Sequence, residues 1–425
     1  MNKSEWREVR LGEVCNKVCS GGTPKSTNPN YYNGDIPWLN TKEVNFNRIY
    51  QTEQKITTEG FNNSSAKWIE ANSIVIAMYG ATAAKVAIAK IKLTTNQACC
   101  NLTINSDIAD YRYIYYSIMN NYHELNSLAN GGAQQNLNSQ IIKDYKILLP
   151  PLSTQQKIAS ILSSLDDKIE LNQNINDNLE LQAQALFKSW FVDFEPFQDG
   201  EFVDSELGRI PKGWKVSTIS NYIEKTLSGD WGKDNLVGNY TQKVYCIRGA
   251  DIPSIKYGYK GKMPTRYILE KNFLQKQLNS NDIVIEISGG SPTQSTGRCC
   301  FISNSIIERY DKGLICTNFC RALTSQKELS LFIYYYLNFL YEKGVMFTYE
   351  NGTTGIKNLD LNNLINTELM IIPPKDLLSE FNLIACNTTN AIQRNGLENE
   401  KLSQLRDTLL PKLMSGEISV EEIEI

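Results

Sequence analysis

The side chains most used in catalysis are scarce in this sequence. It holds one histidine, His123, so a Ser-His-Asp or Cys-His arrangement and most zinc sites would depend on that residue. We expect His123 to be a structural or surface residue, because it follows a tyrosine-rich segment. The ten cysteines include two vicinal pairs and C-x-x-x-C spacings, which match neither a zinc C-x-x-C motif nor a small disulfide scaffold. They predict buried, reduced thiols.

Motifs for nucleotide and methyl-transfer chemistry are incomplete. SGDWGKD (228–234) lacks the first glycine and the Ser or Thr of a phosphate-binding P-loop. NPNYY (28–32) lacks the second proline of the N-P-P-Y loop of amino-methyltransferases. Asp282 and Glu286 are spaced along one strand as nuclease carboxylates can be, but no lysine follows Glu286. The sequence therefore predicts a protein that binds rather than an enzyme, with no metal site.

Polar, glycine-containing loops are the remaining candidates for function. Glycines let a backbone approach phosphate, Lys and Arg neutralise it, and Asn, Gln or Arg can hydrogen-bond to base edges. Such loops recur at equivalent places in both halves, as in TNQ (95–97) and TNF (317–319), but with different residues. This recurrence favours two short DNA sequences read at a fixed distance.

The elements that position these loops are repeated along the chain. WREVRLGEV (6–14) resembles WKVSTISNYI (214–223), 208 residues later, and SIVIAMYG (73–80) resembles DIVIEISG (282–289), 209 residues later. LLPPLSTQQKIAS (148–160) is matched by IIPPKDLLSEFNLI (371–384) at 223 residues. Because the offset grows along the chain, we infer a tandem duplication with loop insertions in the second copy.

A long helix is predicted after each Pro-Pro pair. Between residues 158 and 190 the apolar positions alternate in steps of four and three, which is the 3.5-residue repeat of a coiled coil. Ser153 and Gln156 match an S-x-x-Q capping box at its start.

Two asparagines recur in register on the predicted helices. Asn172 and Asn176 correspond to Asn395 and Asn399, 223 residues later. If the halves are related by a pseudo-two-fold axis, the helices run antiparallel, with Asn172 against Asn399 and Asn176 against Asn395. A buried layer of this kind would fix the register of the helices. The alternative is that these asparagines face solvent.

Charge is distributed in alternating blocks. The net charge is −3, yet residues 1–152 carry 15 Lys and Arg against 12 Asp and Glu, and residues 200–372 carry 20 against 17. Residues 153–199 carry 3 against 8, and residues 373–425 carry 5 against 9. No signal-peptide h-region or membrane-spanning run is found, so we expect a cytoplasmic protein.

These patterns predict two tandem copies of a domain, each followed by a connecting helix. We expect the domains at residues 1–152 and 196–372, related by a pseudo-two-fold axis. Two long helices, in residues 153–195 and 373–425, separate them as an antiparallel coiled coil, and a short tail completes the second segment.

The sequence resembles the specificity subunit of a type I restriction–modification system. The resemblance covers the chain and rests on the two openings, SGGTPKSTNPNYYNGDIPWLNTKEV (20–44), the NGG and NGTTG turns, the LLPP helix, KSWFVDFEPF (188–197) and LLPKLMSGEI (409–418). It implies an α/β fold with two tandem target-recognition domains that each read half of a bipartite double-stranded DNA site. It also implies helices that set the spacing and dock two methyltransferase subunits, with restriction subunits joining them. S-adenosylmethionine and ATP would be bound by those partners, and no cofactor is expected on this chain.

Recognition loops vary within this family, so contacts cannot be transferred from it. By chemistry and loop position, the residues predicted to bind DNA are Lys25, Tyr79, Lys85, Gln97, Gln134 and Gln135 in the first domain, and Lys233, Arg248, Gln294, Arg298, Thr354 and Lys357 in the second. Alternative functions are a target-recognition subunit of a related restriction or phage-defence system, a structural adaptor that does not contact DNA, and an enzyme with unrecognised chemistry.

Overall fold

Two helices of 40 residues each follow the two α/β halves of the chain. The computed structural model describes residues 5–129, 136–291, 293–352 and 357–420. The long helices are Leu152–Phe191 and Lys375–Met414. The chain divides into unit 1, which holds the residues up to Asp167 and those from Ser403 onward, and unit 2, Lys168–Leu402. The division falls inside both long helices, because each end of a helix packs with its own α/β part.

Unit 1 contains eleven short strands in its described residues, and helices that cover them. The strands are β1 (Arg7–Arg10), β2 (Cys15–Ser20), β3 (Tyr32–Leu39), β4 (Asn47–Ile49), β5 (Gln54–Ile56), β6 (Trp68–Ile69), β7 (Ile74–Ala77), β8 (Val86–Ala89), β9 (Leu93–Thr95), β10 (Cys99–Ile104) and β11 (Lys146–Leu149). The helices are α1 (Thr58–Asn62), α2 (Tyr111–Asn120), α3 (Tyr122–Ser127), α4 (Ser139–Asp144) and the start of α5 (Leu152–Phe191).

Unit 2 repeats this series with longer connections. Its strands are β12 (Phe202–Ser205), β13 (Gly208–Pro211), β14 (Lys215–Thr218), β15 (Ile223–Ser228), β16 (Gln242–Ile247), β17 (Thr265–Ile268), β18 (Ile283–Glu286), β19 (Ser288–Gly289), β20 (Cys299–Phe301), β21 (Leu314–Cys316), β22 (Cys320–Ser325), β23 (Glu350–Asn351), β24 (Lys357–Leu359) and β25 (Leu369–Ile372). Its helices are α6 (Ile252–Lys256), α7 (Glu270–Lys276), α8 (Asn304–Arg309), α9 (Ser330–Glu342), α10 (Leu361–Thr367) and most of α11 (Lys375–Met414).

The sheets of the two units share one topology. The order β2-β10-β7-β8 in unit 1 is matched by β15-β22-β18-β20 in unit 2. The parallel pair β3 and β9 is matched by β16 and β21, and the antiparallel pair β1 and β11 by β14 and β25. The α/β fold class with two long helices is therefore confirmed, and the matched strand orders support the duplication read from the sequence.

Apolar faces of the long helices complete the core of each unit. In unit 1, Ile158 and Leu162 of α5 and Leu413 of α11 join the cluster built on the strands and α2. In unit 2, Phe187 and Phe191 of α5 pack against aromatic residues of α9 and α11, with ring centroids 5.0 to 6.3 Å apart. Aromatic side chains bury large apolar areas, so this cluster anchors the α/β part of unit 2 on the helices.

Two details of α5 differ from the prediction. The capping box at Ser153 and Gln156 is wrong: α5 begins at Leu152, and the N–H groups of Thr154 and Gln155 donate to the Pro151 carbonyl at 2.9 and 3.0 Å. Near its end, the predicted positions 186 and 190 are only partly buried, whereas Phe187 and Phe191 are buried. A straight helix turns every 3.6 residues, so a 3.5-residue repeat drifts off the buried face.

No helix among the described residues is long and apolar enough to cross a membrane.

Candidate nucleic-acid interface

The carboxyl ends of β15, β16, β18 and β21 meet at one crevice in unit 2. The N–H of Asp230, after β15, donates to the Cys316 carbonyl at 2.9 Å, and the N–H of Thr317, after β21, donates to the Ile247 carbonyl of β16 at 2.9 Å. A Cβ on Gly229 would lie 2.0 Å from the Thr317 carbonyl oxygen, so only glycine allows this approach. Loops that follow different strands are thereby brought side by side.

Unit 1 has the same backbone arrangement. The N–H of Gly22 donates to the Thr95 carbonyl at 2.9 Å, and the N–H of Asn96 donates to the Leu39 carbonyl at 2.9 Å. A Cβ on Gly21 would lie 2.2 Å from the Thr95 carbonyl oxygen, as at Gly229 in unit 2. The duplication has therefore preserved a glycine-dependent junction of strand ends.

Different side chains occupy equivalent places on this frame. Asn40 of unit 1 and Arg248 of unit 2 each precede a short 3-10 helix, and their N–H groups donate to Glu43 Oε1 at 2.9 Å and Asp251 Oδ2 at 3.1 Å. Further such pairs are Tyr79 with Ser288 and Gln97 with Asn318. The backbone is common to both units, while the side chains presented by the loops are not.

The predicted residues of unit 1 lie on these loops or next to them. Lys25, Tyr79 and Gln97 are exposed, and the backbone of Tyr79 pairs with that of Asn136. Lys85 is half-buried, and its Nζ lies 2.8 Å from Asn45 Oδ1. Gln134 and Gln135 lie outside the described residues.

Two of the predicted residues of unit 2 are exposed. Lys233 pairs through its backbone with Tyr267, and its Nζ lies 5.6 Å from the ring centroid of Tyr240. Gln294 pairs through its backbone with Ser291. Thr354 lies outside the described residues.

Three predicted basic residues of unit 2 form ion pairs with buried carboxylates. Arg248 binds both oxygens of Asp251, at 2.8 and 3.0 Å. Arg298 donates to both oxygens of Glu286 at 2.8 Å, and Lys357 donates to a carboxylate oxygen of Glu350 at 2.9 Å. Such pairs neutralise much of the charge that these side chains could offer to DNA phosphates. A DNA contact by any of the three stays a prediction.

The four asparagines of the long helices lie inside unit 2. Nδ2 of Asn172 donates to Asn399 Oδ1 at 2.9 Å, and Nδ2 of Asn395 donates to Asn176 Oδ1 at 2.9 Å. Because one residue number rises as its partner falls, the helices are antiparallel here. Asn172, Asn176 and Asn399 are buried, and Asn395 is half-buried.

One α/β segment touches this layer. Nδ2 of Asn176 also lies 3.1 Å from the Tyr257 carbonyl oxygen. A Cβ on Gly396 would lie 1.8 Å from the Gly258 carbonyl oxygen. The asparagines therefore meet both the other helix and the α/β part of unit 2.

Sequence reasoning missed two exposed aromatic residues at the unit 2 crevice. Trp231 and Phe319 are 41% and 58% exposed, although both are large apolar side chains. They belong to the SGDWGKD and TNF loops that the sequence singled out. The sequence feature that could have indicated them is an aromatic residue within a polar loop that follows a strand.

Among the described residues, neither a cysteine nor the histidine lines the unit 2 crevice. All ten cysteines are free, and burial raises the pKa of Cys299 to about 12. His123 is exposed, with its ring 5.2 Å from that of Tyr122. Among the described residues, no group of three His, Cys, Asp or Glu side chains is placed to hold a metal ion.

Comparison with known proteins identifies the family. Residues 3–181 match the model of the type I restriction modification DNA specificity domain. The chain is 31% identical, over 99% of its length and 95% of the relative's, to the type I restriction enzyme MjaIX specificity subunit of Methanocaldococcus jannaschii. It is 22% identical, over 98% of its own length and 100% of the relative's, to the type I restriction enzyme HindI specificity subunit of Haemophilus influenzae.

A solved structure shares the fold. The match is to the crystal structure of the type I restriction–modification system S subunit from M. genitalium. It covers 96% of each of the two chains, with a TM-score of 0.55 and 18% sequence identity. This likeness shows the fold, and the near full-length match at 31% identity shows the family. The chain belongs to the family of type I restriction enzyme specificity subunits.

Proposed function

We propose that this chain reads a bipartite double-stranded DNA sequence for a type I restriction–modification complex, each α/β part reading one half. The observation that carries the proposal is the common strand-end frame with different side chains in the two units. A conserved frame holds loops at the same place relative to their sheets, and the variable side chains can then recognise different bases.

The exposed predicted residues suit the two kinds of DNA contact. Lys25 and Lys233 are exposed cations that can pair with phosphates, which contributes affinity without sequence preference. Gln97 and Gln294 are exposed amides that can donate to and accept from one base edge. We infer that the lysines orient the duplex and that the amides carry specificity.

The long helices supply the spacing and the docking surface in this proposal. The asparagine layer Asn172, Asn176, Asn395 and Asn399 would fix their register, because a slip would leave buried amides without partners. Two methyltransferase subunits would dock on the helices, and restriction subunits would join the complex. S-adenosylmethionine and ATP would be bound by those partners, since specificity subunits are not themselves catalytic. The small net charge of −3 fits a chain whose partner subunits contribute part of the DNA contacts.

The experiment is to map methylated adenines made by the chain with its methyltransferase partner, and to repeat this with a variant in each unit. Wild type should give one motif of two short parts separated by a fixed gap. Gln97→Ala in unit 1 should relax one part, and Gln294→Ala in unit 2 the other. A variant that changes both parts, or a motif without a gap, would contradict the proposal. Salt-independent or absent DNA binding by the complex would favour a structural adaptor instead.

A further inference from the structure

The unit 2 crevice is a cavity of about 420 Å³, and Trp231, Gly249, Glu286 and Phe319 are among the residues that line it. That volume lies in the range of about 300–1,000 Å³ typical of sites for small molecules. A side chain that reads a paired base from a groove needs no such cavity. We propose that this cavity receives one unpaired, unstacked nucleobase of the DNA half-site, held between Trp231 and Phe319. The proposal rests on the proposed DNA-reading function and specifies how unit 2 performs it.

Trp231 is built as a stacking platform. The guanidinium of Arg266 lies 4.2 Å from the Trp231 ring centroid, and its Nε donates to the Trp231 carbonyl at 2.8 Å. Arg266 is itself held by an ion pair with Asp234, and its side chain is only 7% exposed. One part of the indole is therefore fixed by a buried cation, yet the residue remains 41% exposed. Aromatic faces fixed in this way bind unstacked bases with little regard to sequence.

Phe319 is held rigidly by its backbone while its ring stays exposed. Its carbonyl accepts hydrogen bonds from the N–H groups of Ile287 and Ser288, at 2.9 and 3.2 Å. The side chain is 58% exposed. Because the backbone is fixed and a Phe side chain has only two rotatable bonds, ordering this ring on a ligand costs little conformational entropy.

The wall of the cavity carries a buried acceptor. Glu286 is 3% exposed, and each of its carboxylate oxygens already accepts one hydrogen bond from Arg298. A carboxylate has about four acceptor sites, so it can still accept the exocyclic amino group of a base. A Cβ on Gly249 would lie 2.1 Å from Glu286 Oε1, and one on Gly289 would lie 2.8 Å from it. These glycines let the backbone pass close to the carboxylate, which lines the cavity, and we infer a base with an exocyclic amino group, so adenine, cytosine or guanine but not thymine.

The test uses the full chain with its methyltransferase subunits and the DNA motif found by methylation mapping. Abasic sites are placed one at a time on each strand of the half-site assigned to unit 2, and affinity is measured by fluorescence anisotropy. If unit 2 reads only paired bases, each abasic site that changes the affinity should weaken binding. A seated base predicts one pair at which removing the partner base tightens binding several-fold, since the pairing cost is gone, while removing the seated base weakens it about tenfold or more.

Variants tie this pattern to the cavity. Phe319→Ala should abolish the tightening and weaken binding to the intact motif about tenfold, while Phe319→Tyr should retain both properties. Leu274→Ala removes another apolar side chain of unit 2, one that is 75% exposed, and should change neither. Trp231→Ala should act like Phe319→Ala.

Three results would overturn the proposal, and one separates it from the broader function. The proposal is excluded if the complex binds its motif specifically but no base pair shows tighter binding on loss of one base and weaker binding on loss of the other. It is also excluded if Phe319→Ala leaves that pattern intact. A pattern confined to the methylated adenine also excludes it, because that base is extruded for the methyltransferase. Loss of sequence-specific binding by the wild-type complex would instead refute the proposed DNA-reading function itself.

Discussion

Asn172 and Asn399 meet inside unit 2, where Nδ2 of Asn172 donates a 2.9 Å hydrogen bond to Oδ1 of Asn399. Their side chains belong to residues that are 1% and 4% exposed. Nδ2 of Asn399 has no hydrogen-bond partner among the described residues, so this amide is satisfied only in part. Nδ2 of Asn172 also donates to Glu398 Oε2 at 2.8 Å, so it is Oδ1 of Asn399 that depends on this pair. A buried amide group without a partner lowers the free energy of unfolding.

Replacing only one asparagine of this pair should lower the free energy of unfolding by more than half of what replacing both does. Asn172→Leu should lower the free energy of unfolding by about 1–3 kcal/mol, because it leaves Oδ1 of Asn399 unpaired. Adding Asn399→Leu should cost less than the sum of the single changes, with a coupling of at least about 0.5 kcal/mol. Urea unfolding of the four proteins measures this, and additive effects would contradict it. Light scattering should show alternative oligomers for the double variant, because the amide layer no longer selects one register.

Gly396 lies where α11 crosses the chain at Gly258. Gly396→Ala would normally stabilise a helix interior by about 1 kcal/mol. Here the added Cβ would lie 1.8 Å from a backbone oxygen, so we expect a loss of about 2 kcal/mol or more in the free energy of unfolding. Asn387→Ala, at an exposed position of the same helix, is the matched control and should be neutral or slightly stabilising. Thermal unfolding shows whether each variant is stabilised or destabilised. A stabilised Gly396→Ala variant would show that α11 does not pass close to Gly258.

Arg298 was predicted to contact DNA, yet it donates to both oxygens of Glu286, whose side chain is 4% exposed. Arg298→Ala should lower the free energy of unfolding by about 3 kcal/mol, because it leaves a buried carboxylate without its cation. Lys271→Ala, which removes an exposed charge from the same unit, should change it by less than about 0.5 kcal/mol. Denaturant titrations report both values. Unchanged stability with lost DNA affinity would instead assign Arg298 to DNA alone.

Lys25 and Lys233 should act differently from Gln97 and Gln294 on DNA. Alanine at either lysine should weaken binding to all duplexes and reduce the slope of log affinity against log salt by about one. Alanine at either glutamine should leave the slope unchanged and cost about 1–3 kcal/mol at one base position. Salt titrations of the complex with specific and non-specific duplexes separate these classes. A glutamine variant that changes the salt slope would show that its residue contacts phosphate.

Much of the architecture could be inferred from the chain itself, because local sequence patterns carried it. The Pro-Pro stops, the spacing of apolar residues after them and the growing offsets between repeats indicated two α/β parts and two long helices. The pairing of Asn172 with Asn399 and of Asn176 with Asn395 could be expected for the same reason, since a repeat at 223 residues places them symmetrically.

Tertiary structure decided which of the polar residues are available. Arg298, Arg248 and Lys357 lie in or next to loops like that of Lys233, but packing places a buried carboxylate beside each of them. Residue type and position in a loop do not reveal such partners, because the partners lie elsewhere in the sequence or depend on backbone geometry.

The crevice at Trp231 and Phe319 also exists only in three dimensions. Its walls come from four strand ends that are far apart in the chain, and they meet because hydrogen bonds join Asp230 to Cys316 and Thr317 to Ile247. The duplicated elements and the residues of each loop could be inferred from the amino-acid sequence, because helices and strands follow local periodicity. Only the packing of the sheets decided which loops face one another and which charges are already paired, because those contacts join distant segments.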